Sequence, residues 1–294
     1  MGIILGLSAA LCWGAADFLA RYCTRLIGTY RTSFFMQFIG AIGLTVYLLS
    51  SGELTHLVHS VGWQSWIWAF VAALLSVIGS LALYRSFEVG VLSIVSPIAA
   101  SSAALTVVLS FLSGEALSQA RAIGIGAALI GVVLAATHIT HTPEVDADKK
   151  PARKRTMMRG VGWALVSSVT YGINFWVLGF YVTPALGGTA PIWMIRLVTI
   201  GTLALAAAPA RQSIRLPQGR VWWLIIVVGV MDTIAFLAAN FGFTTDQVSV
   251  VSVLISLFSA VTVLLAWIFL RERLQWSQWL GIAIIFLGVT LVKV

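Results

Sequence analysis

The second half of this sequence repeats the first, and both copies are apolar enough to belong in a lipid bilayer. Val91–Gly131 is similar to Val248–Gly288, which begins 157 positions later. Four pairs of identical residues match at this spacing: Glu115 with Glu272, Leu117 with Leu274, Gly124 with Gly281, and Gly131 with Gly288. A doubled sequence predicts two similar structural units, so we expect the chain to fold as two related halves.

The composition indicates a membrane protein. Hydrophobic residues make up 60% of the chain and charged residues 10%, whereas soluble domains have about 25% charged residues. The apolar runs reach about 20 residues, which is enough for a helix to cross a hydrocarbon core of about 30 Å. They show no alternation of period two, which argues against a membrane barrel. The predicted fold class is therefore an all-α integral membrane protein, multi-pass in the inner or plasma membrane of the cell.

We predict ten transmembrane helices in two halves of five. The predicted spans are residues 3–22, 33–50, 64–84, 90–112, 121–138, 160–182, 188–207, 221–242, 247–270 and 276–293. A charged linker, 141–159, separates a first repeat, 1–140, from a second, 160–294. Because five is an odd number, the second half enters the membrane from the opposite side. The two repeats are therefore predicted to be inverted about an axis in the membrane plane.

Basic residues are distributed unequally among the predicted loops. Arg121 and Lys293 are the basic residues of the even-numbered loops and the tails. The odd-numbered loops hold Arg21, Arg25, Arg31, Arg85, Lys149, Lys150, Arg153, Lys154, Arg155, Arg159, Arg211, Arg215, Arg220, Arg271 and Arg273. Since cytoplasmic loops carry the excess of Lys and Arg, this pattern predicts a cytoplasmic linker and both termini outside. The net charge of +8 then reflects orientation in the membrane, and no nucleic-acid partner is expected.

Neither an enzyme nor an ATP-driven pump is indicated. The sequence has no G-x-x-x-x-G-K-[ST] loop for nucleotide phosphates. The two cysteines, Cys12 and Cys23, match no metal-binding spacing. We therefore expect no cofactor, no metal ion and no catalytic residue.

Motifs that occur once in each half resemble those of a known family. The first helix of each half has an aromatic–glycine pair, Trp13–Gly14 and Tyr171–Gly172. Further motif positions, kept in one half and changed in the other, are Arg21 with Gly179, Arg196 with Gln37, and Pro97 with Leu254. The turns before the last helix of each half are Gly114–Leu117 and Arg271–Leu274. Over nearly the whole chain, this order of motifs resembles the drug/metabolite transporter superfamily, EamA type.

The resemblance implies a secondary transporter that moves a small organic molecule by alternating access. It implies a central cavity lined by the first, third, fourth, sixth, eighth and ninth helices, with the fifth and tenth at the periphery. Exported amino acids or similar metabolites are the favoured substrates, and protons are a candidate coupling partner. Amphipathic cations and lipid-linked sugars are alternative substrates, and a membrane enzyme acting on lipid-linked substrates is the alternative of another class. The protein is expected to act as a monomer or a homodimer.

Asp232 is the sharpest candidate for the transport site. It lies near the middle of the predicted eighth span, where a carboxylate costs roughly 2.5–3.5 kcal/mol. It is therefore predicted to face a cavity, where it could exchange a proton or bind a cation, or to form a structural ion pair with Arg196. Phe236 and Asn240 follow at four-residue steps and share its helical face. Asn240 could alternatively bond a neighbouring helix.

A second set of candidates lies on the first helix of each half. Asp17 follows Trp13 by four residues, so it is expected to contact the substrate, act at a gate, or pair with Arg21. Tyr171 is the repeat counterpart of Trp13, and Asn174 lies one turn further on. The two aromatic rings are predicted to form platforms for a flat or amphipathic molecule.

Three further residues complete the predicted set. Arg196 could hold a substrate carboxylate or neutralise Asp232. Tyr84, near the end of the third span, is a weaker binding candidate. Pro97 is expected to kink the fourth helix, and such a kink could serve as a hinge.

Overall fold

The protein is helical throughout the part that the structure describes. The computed structural model describes residues 1–53, 61–136, 150–212, 214–270 and 276–292. Every regular element in these ranges is a helix, and none is a strand. The predicted all-α fold class is therefore confirmed.

The helices follow the predicted spans closely. They are α1 (Gly2–Ile27), α2 (Thr29–Ser51), α3 (Trp63–Val89), α4 (Leu92–Ala100), α5 (Ser102–Leu112), α6 (Gln119–Ala136), α7 (Lys150–Val177), a π-helix (Leu178–Val182), α8 (Thr183–Leu186), α9 (Ala190–Ala207), α10 (Val221–Thr245), α11 (Val248–Ser256), α12 (Phe258–Leu270) and α13 (Trp276–Val292). The predicted fourth span is divided into α4 and α5, and the ninth into α11 and α12. The predicted sixth span, 160–182, comprises the second part of α7 and the π-helix, and α8 continues beyond its predicted end.

The helices have the length and surface of membrane spans. Within the described ranges, eight stretches of helix are long and apolar enough to cross a bilayer. Large apolar side chains cover their outward faces; Leu49 and Phe269, for example, are each about two-thirds exposed. A soluble protein rarely exposes apolar surface on this scale. The chain is therefore a multi-pass membrane protein.

The two halves pack against each other through matching pairs of helices. α1 packs along α10, and α7, the repeat counterpart of α1, packs along α3. In the same way α1 packs on α12, and α7 packs on α5. The last two contacts are close: a Cβ added at Gly14 would lie 2.4 Å from Val261 Cβ, and one added at Gly172 would lie 2.8 Å from Leu105 Cβ. The aromatic–glycine pair of each half thus marks a tight helix crossing.

Matching hydrogen bonds join the same two crossings. The Thr262 hydroxyl donates to the Gly14 carbonyl oxygen over 3.1 Å. The Thr106 hydroxyl donates to the Gly172 carbonyl oxygen over 2.9 Å. Each hydroxyl also lies within bonding distance of a carbonyl oxygen in its own helix, that of Phe258 for Thr262 and that of Ser102 for Thr106. Both hydroxyls are therefore shared between their own helix and the crossing.

α1 and α7 start at opposite ends of the molecule. A Cβ added at Gly2, the start of α1, would lie 2.4 Å from Asp246 Cβ, at the far end of α10. A Cβ added at Gly160, where the apolar part of α7 begins, would lie 2.7 Å from Gly90 Cα. Arg25, near the end of α1, donates to the Gly90 carbonyl oxygen over 3.1 Å. The start of the apolar part of α7 therefore lies beside the end of α1, and the two helices run in opposite directions.

The helix breaks of the two halves occur at equivalent places. The break between α4 and α5 falls at Ser101, four residues after Pro97. The break between α11 and α12 falls at Leu257, although Leu254 stands where the first half has the proline. Since the second half breaks without a proline, a proline is not required for a break at this place.

Two boundaries differ from the predictions. α7 begins at Lys150, so the second part of the predicted linker 141–159 is helical rather than irregular. The π-helix at Leu178–Val182 interrupts the predicted sixth span, and a Cβ added at Gly179 there would lie 2.5 Å from Val248 Cγ2. Other predicted features lie outside the described residues: linker residues 141–149, the turn at 271–275 and the tail with Lys293.

Candidate transport site

A cavity between the two halves collects most of the predicted site residues. Six of them line it: Trp13, Asp17, Tyr84, Tyr171, Asp232 and Phe236. The helices that contribute its walls are α1, α3, α7, α10 and the two broken pairs, α4 with α5 and α11 with α12. In this conformation the cavity has room for only a few water molecules. A larger molecule therefore requires the helices to move apart.

Asp232 is buried and already has two partners. The Trp13 indole Nε1 donates to Asp232 Oδ1 over 2.9 Å. The other carboxylate oxygen, Oδ2, lies 2.7 Å from Arg196 Nη1. The structure thus contains the ion pair that was one of the two alternatives for Asp232, and it adds the indole of α1 as a second contact.

Arg196 is completely buried on the far side of this pair. Its Nη1 also donates to Gln37 Oε1 on α2, and its guanidinium carbon lies 5.1 Å from the centre of the Phe236 ring. The lack of a side chain at Gly40 leaves space for it, because a Cβ added there would lie 3.0 Å from Arg196 Nε. The arginine therefore joins α2, α9 and α10 behind the cavity wall.

Asp17 has a different environment from Asp232. Its side chain is 3% exposed and lines the cavity. It forms no hydrogen bond or ion pair with any residue that the structure describes, so the predicted alternative, an ion pair with Arg21, is not formed. The cavity therefore contains one acid with partners and one without.

Aromatic rings form a continuous wall beside the two acids. The Trp13 ring meets the edge of Phe236 at 4.8 Å between centroids and lies 5.7 Å from Phe175. Phe175 in turn stacks on Tyr171, also at 5.7 Å. The two predicted platforms, Trp13 and Tyr171, thus belong to one aromatic surface that suits an apolar or flat group.

Besides Arg196, two predicted binding residues do not line the cavity. Asn174 Nδ2 donates to the Ala72 carbonyl oxygen over 2.9 Å and to Ser76 Oγ over 2.6 Å. Asn240 Nδ2 donates to the Gly188 carbonyl oxygen over 3.3 Å. Both amides connect helices through the backbone, so their geometry is that of packing.

The sequence reading missed several wall residues: Leu83, Ala99, Ser102, Phe175, Ile255 and Phe258. Four of them flank the helix breaks after α4 and α11. Phe175 follows Tyr171 by four residues, as Asp17 follows Trp13, so the repeat itself could have indicated it. Gln37 stands where the second half has Arg196, and it accepts a hydrogen bond from that arginine.

A polar cluster closes the end of the molecule where α1 begins. Arg121, in the first turn of α6, lies 3.3 Å from an Asp246 carboxylate oxygen and donates to Gln247 Oε1 over 2.7 Å. Gln247 Nε2 donates to the Ala116 carbonyl oxygen over 2.6 Å. Glu115 accepts a bond from the Ser249 backbone N–H over 3.2 Å. Each of these contacts joins one half of the chain to the other.

Fold and site together define an all-helical membrane protein with a small polar cavity between two similar halves. The profile of the EamA-like transporter family matches residues 1–137 and 158–294. The two matches cover nearly the whole chain, one in each half. The protein belongs to the EamA-like transporter family, within the drug/metabolite transporter superfamily.

One relative and one solved structure show what this chain is similar to. One, from Streptantibioticus cattleyicolor, is named "probable terminal-alkyne amino-acid exporter" and is 31% identical over 139 residues. That match covers 45% of this chain and 44% of the relative, so the chain spans less than half of the relative's length. The other is a crystal structure of an unspecified protein, with a TM-score of 0.72, 18% identity, and coverage of 99% of this chain and 95% of that one. It establishes the fold alone.

Proposed function

We propose that the protein is a secondary transporter that carries small organic molecules, with amino acids as the favoured class, through the cavity between its halves. The observation that carries the proposal is a cavity with two buried acids and an aromatic wall, built by helices of both halves. Transporter folds of this type place their site at the interface of two repeats, near mid-depth. Membership of the EamA-like family agrees with this function.

We propose that the chain has ten spans in two inverted repeats. In this arrangement α6 and α13, which pack along each other, are the fifth and tenth spans. The matching crossings at Gly14 and Gly172 support a two-fold relation between the halves. The opposite directions of α1 and α7 support an axis in the membrane plane rather than along its normal.

The end that bears Arg25, Arg31, Arg85 and Arg215 is assigned to the cytoplasm. The excess of positive charge at one end is the basis of this orientation, and it puts the start of α1 outside. The polar cluster of Arg121, Asp246 and Gln247 then closes the outer side of the cavity. We propose that access alternates when this cluster opens and contacts at the basic end close.

Amino acids are favoured because the similar Streptantibioticus protein bears the name of an amino-acid exporter. The site agrees with that class: a carboxylate suits an ammonium group, and the aromatic wall suits an apolar side chain. Export rather than import follows the same relative. No step of this function needs a cofactor.

The test is efflux from proteoliposomes preloaded with labelled compounds. The panel should contain leucine, an amino acid with a terminal-alkyne side chain, a free amine and a sugar. We expect saturable efflux of amino acids from the proteoliposomes and no such efflux from liposomes without the protein. A Phe236→Ala/Phe175→Ala variant, which removes two rings of the wall, should lower it, whereas Trp223→Ala, a distant exposed ring, should not. Equal leakage with and without protein for every compound would contradict the proposal.

A further inference from the structure

We infer that Asp17 is the proton-carrying residue of this protein, a carboxylate that binds a proton from one side of the membrane and releases it to the other. The inference rests on the proposed transport function and names the group that couples transport to a proton. It changes the order of the two acids, because the sequence alone singles out Asp232.

The two cavity acids differ in what compensates their charge. Asp232 contacts the Trp13 indole and the Arg196 guanidinium at 2.9 and 2.7 Å. Asp17 is equally buried, yet no described residue bonds to it. An unpaired carboxylate removed from water costs several kcal/mol, and binding a proton removes that cost. Of the two acids, Asp17 is therefore the one whose charge lacks compensation.

The buried charges around the cavity do not cancel. Asp17 and Asp232 line it, and Arg196 contacts Asp232 from behind. With both acids ionised, the site bears one net negative charge. A proton on Asp17 makes the site neutral, which is the state that can be enclosed between apolar helices at least cost. Release of the proton restores the negative charge of Asp17, and this charge attracts the next cation.

Among the groups that line the cavity, the two acids are those able to change charge near neutrality. Asp232, Tyr84 and Tyr171 are the ionisable residues that line it with Asp17, and Arg196 lies behind Asp232. The described helices packed on α1 also bear Tyr30, Arg31 and Tyr47 (α2) and Arg85 and Glu88 (α3), with Glu88 bonded to Arg85 and Thr29; α1 itself also bears Cys12, Arg21, Tyr22, Cys23 and Arg25. The described residues of α4, α5, α11 and α12 include no ionisable side chain. Tyrosine and cysteine titrate well above neutrality, and arginine stays charged.

A proton fits this site better than a metal ion. Alkaline-earth ions need about six oxygen ligands, whereas the cavity offers two carboxylates, one of them already paired with Arg196, among mainly aromatic and apolar side chains. The described residues contain no group of three or more His, Cys, Asp or Glu that could hold a metal ion.

Proton binding can be measured on the purified full-length protein with the proton itself as the probe. Infrared difference spectra between acidic and alkaline buffer detect the C=O stretch of a protonated carboxyl group. We expect a band that Asp17→Asn removes and that Glu88→Gln, a change of a partly buried acid outside the cavity, retains. The double variant Asp232→Asn/Arg196→Gln should also retain it, since the pair is removed as a unit. A band that persists in Asp17→Asn, or that disappears in the double variant, would overturn the assignment.

Transport measurements separate this inference from the proposed function. For a compound that the wild type transports, Asp17→Asn should lose flux driven by a pH gradient but keep exchange of labelled for unlabelled compound. Asp17→Glu should keep both. If Asp17→Asn showed the same pH-driven flux as the wild type, the proton assignment would be refuted and the transport function would stand. Absence of any wild-type flux would refute transport, while the infrared band would still decide whether Asp17 binds a proton.

Discussion

Two helix crossings that the repeat makes equivalent have different chemistry. Where α1 crosses α10, the Trp13 ring contacts Phe236 and its indole binds Asp232. Where α7 crosses α3, the Tyr171 ring lies over Gly79, about 3.2 Å from where a Cβ would be. At the 157-residue spacing of the repeats, Gly79 is the counterpart of Phe236. The first crossing is charged and the second is neutral.

The backbone contacts of the two crossings are nevertheless alike. Gly14 and Gly172 both permit close approach, and Thr262 and Thr106 both bond the glycine carbonyl oxygen. The fold is therefore maintained in both halves, while charge is concentrated in one. A symmetric frame with an asymmetric site is what a transporter of an asymmetric molecule needs.

The largest effect should come from breaking the charged crossing. Asp232→Asn leaves Arg196 buried without a counter-charge, which costs about 3–5 kcal/mol in comparable pairs. We expect a much lower melting temperature for purified Asp232→Asn. The double variant Asp232→Asn/Arg196→Gln should recover most of the loss. If the double variant were as unstable as the single one, the ion pair would not be the reason.

Alanine substitutions at Gly14 and Gly172 test whether the two helix crossings are packed equally tightly. Gly14→Ala and Gly172→Ala each force a Cβ against a neighbouring side chain, and overpacking of this kind costs about 1–3 kcal/mol. We expect similar losses of thermal stability in the two variants. Gly43→Ala, where a Cβ meets nothing within 4 Å, is the matched control. A loss at one crossing only would contradict the two-fold relation.

The neutral crossing should be tolerant by comparison. Asn174→Ala removes bonds to Ala72 and Ser76, and polar contacts between membrane helices average about 0.6 kcal/mol. A small fall in melting temperature with nearly normal transport is expected. Loss of transport in a stable Asn174→Ala protein would show that both crossings take part in the site.

The smallest effect on stability is expected at the end of the charged crossing that the proposed orientation places outside. Asp246 pairs there with Arg121, whereas its counterpart in the first half, at the 157-residue spacing, is Val89. A partly exposed pair contributes about 0.2–1 kcal/mol, so Arg121→Gln should hardly change the melting temperature. It should instead raise labelling of cavity residues from the outside. Arg85→Gln, which breaks the pair with Glu88 at the other end, should leave labelling unchanged.

Much of the fold follows from the sequence because membrane spans are long apolar runs with few alternatives. The doubling also matched Trp13–Gly14 with Tyr171–Gly172, although only the structure shows that both glycines lie at close helix crossings. The predicted site was less complete. The sequence indicated the burial of Asp232 and offered Arg196 as a partner. It did not indicate Trp13, because the contact with Trp13 joins the two halves of the chain. The unpaired state of Asp17 depends on the same three-dimensional contacts.

Some wall residues could not be identified from residue type. Ile255, Phe258 and Ala99 are ordinary apolar residues, and they line the cavity only because α4 and α11 end beside it. No proline precedes the break after α11, so residue type does not predict that break. By contrast, Asn174 and Asn240 looked functional because amides are rare in spans, yet both satisfy backbone groups of neighbouring segments.

The most direct test of a cavity with alternating access is thiol labelling of Ser102, a buried wall residue. Ser102→Cys would be made in a background that lacks Cys12 and Cys23, and a membrane-impermeant thiol reagent would be added to one side of the membrane at a time. We predict labelling from both sides, with a larger outside rate when Arg121→Gln is added. If the folded protein were labelled from only one side of the membrane, or from neither, the account would be contradicted.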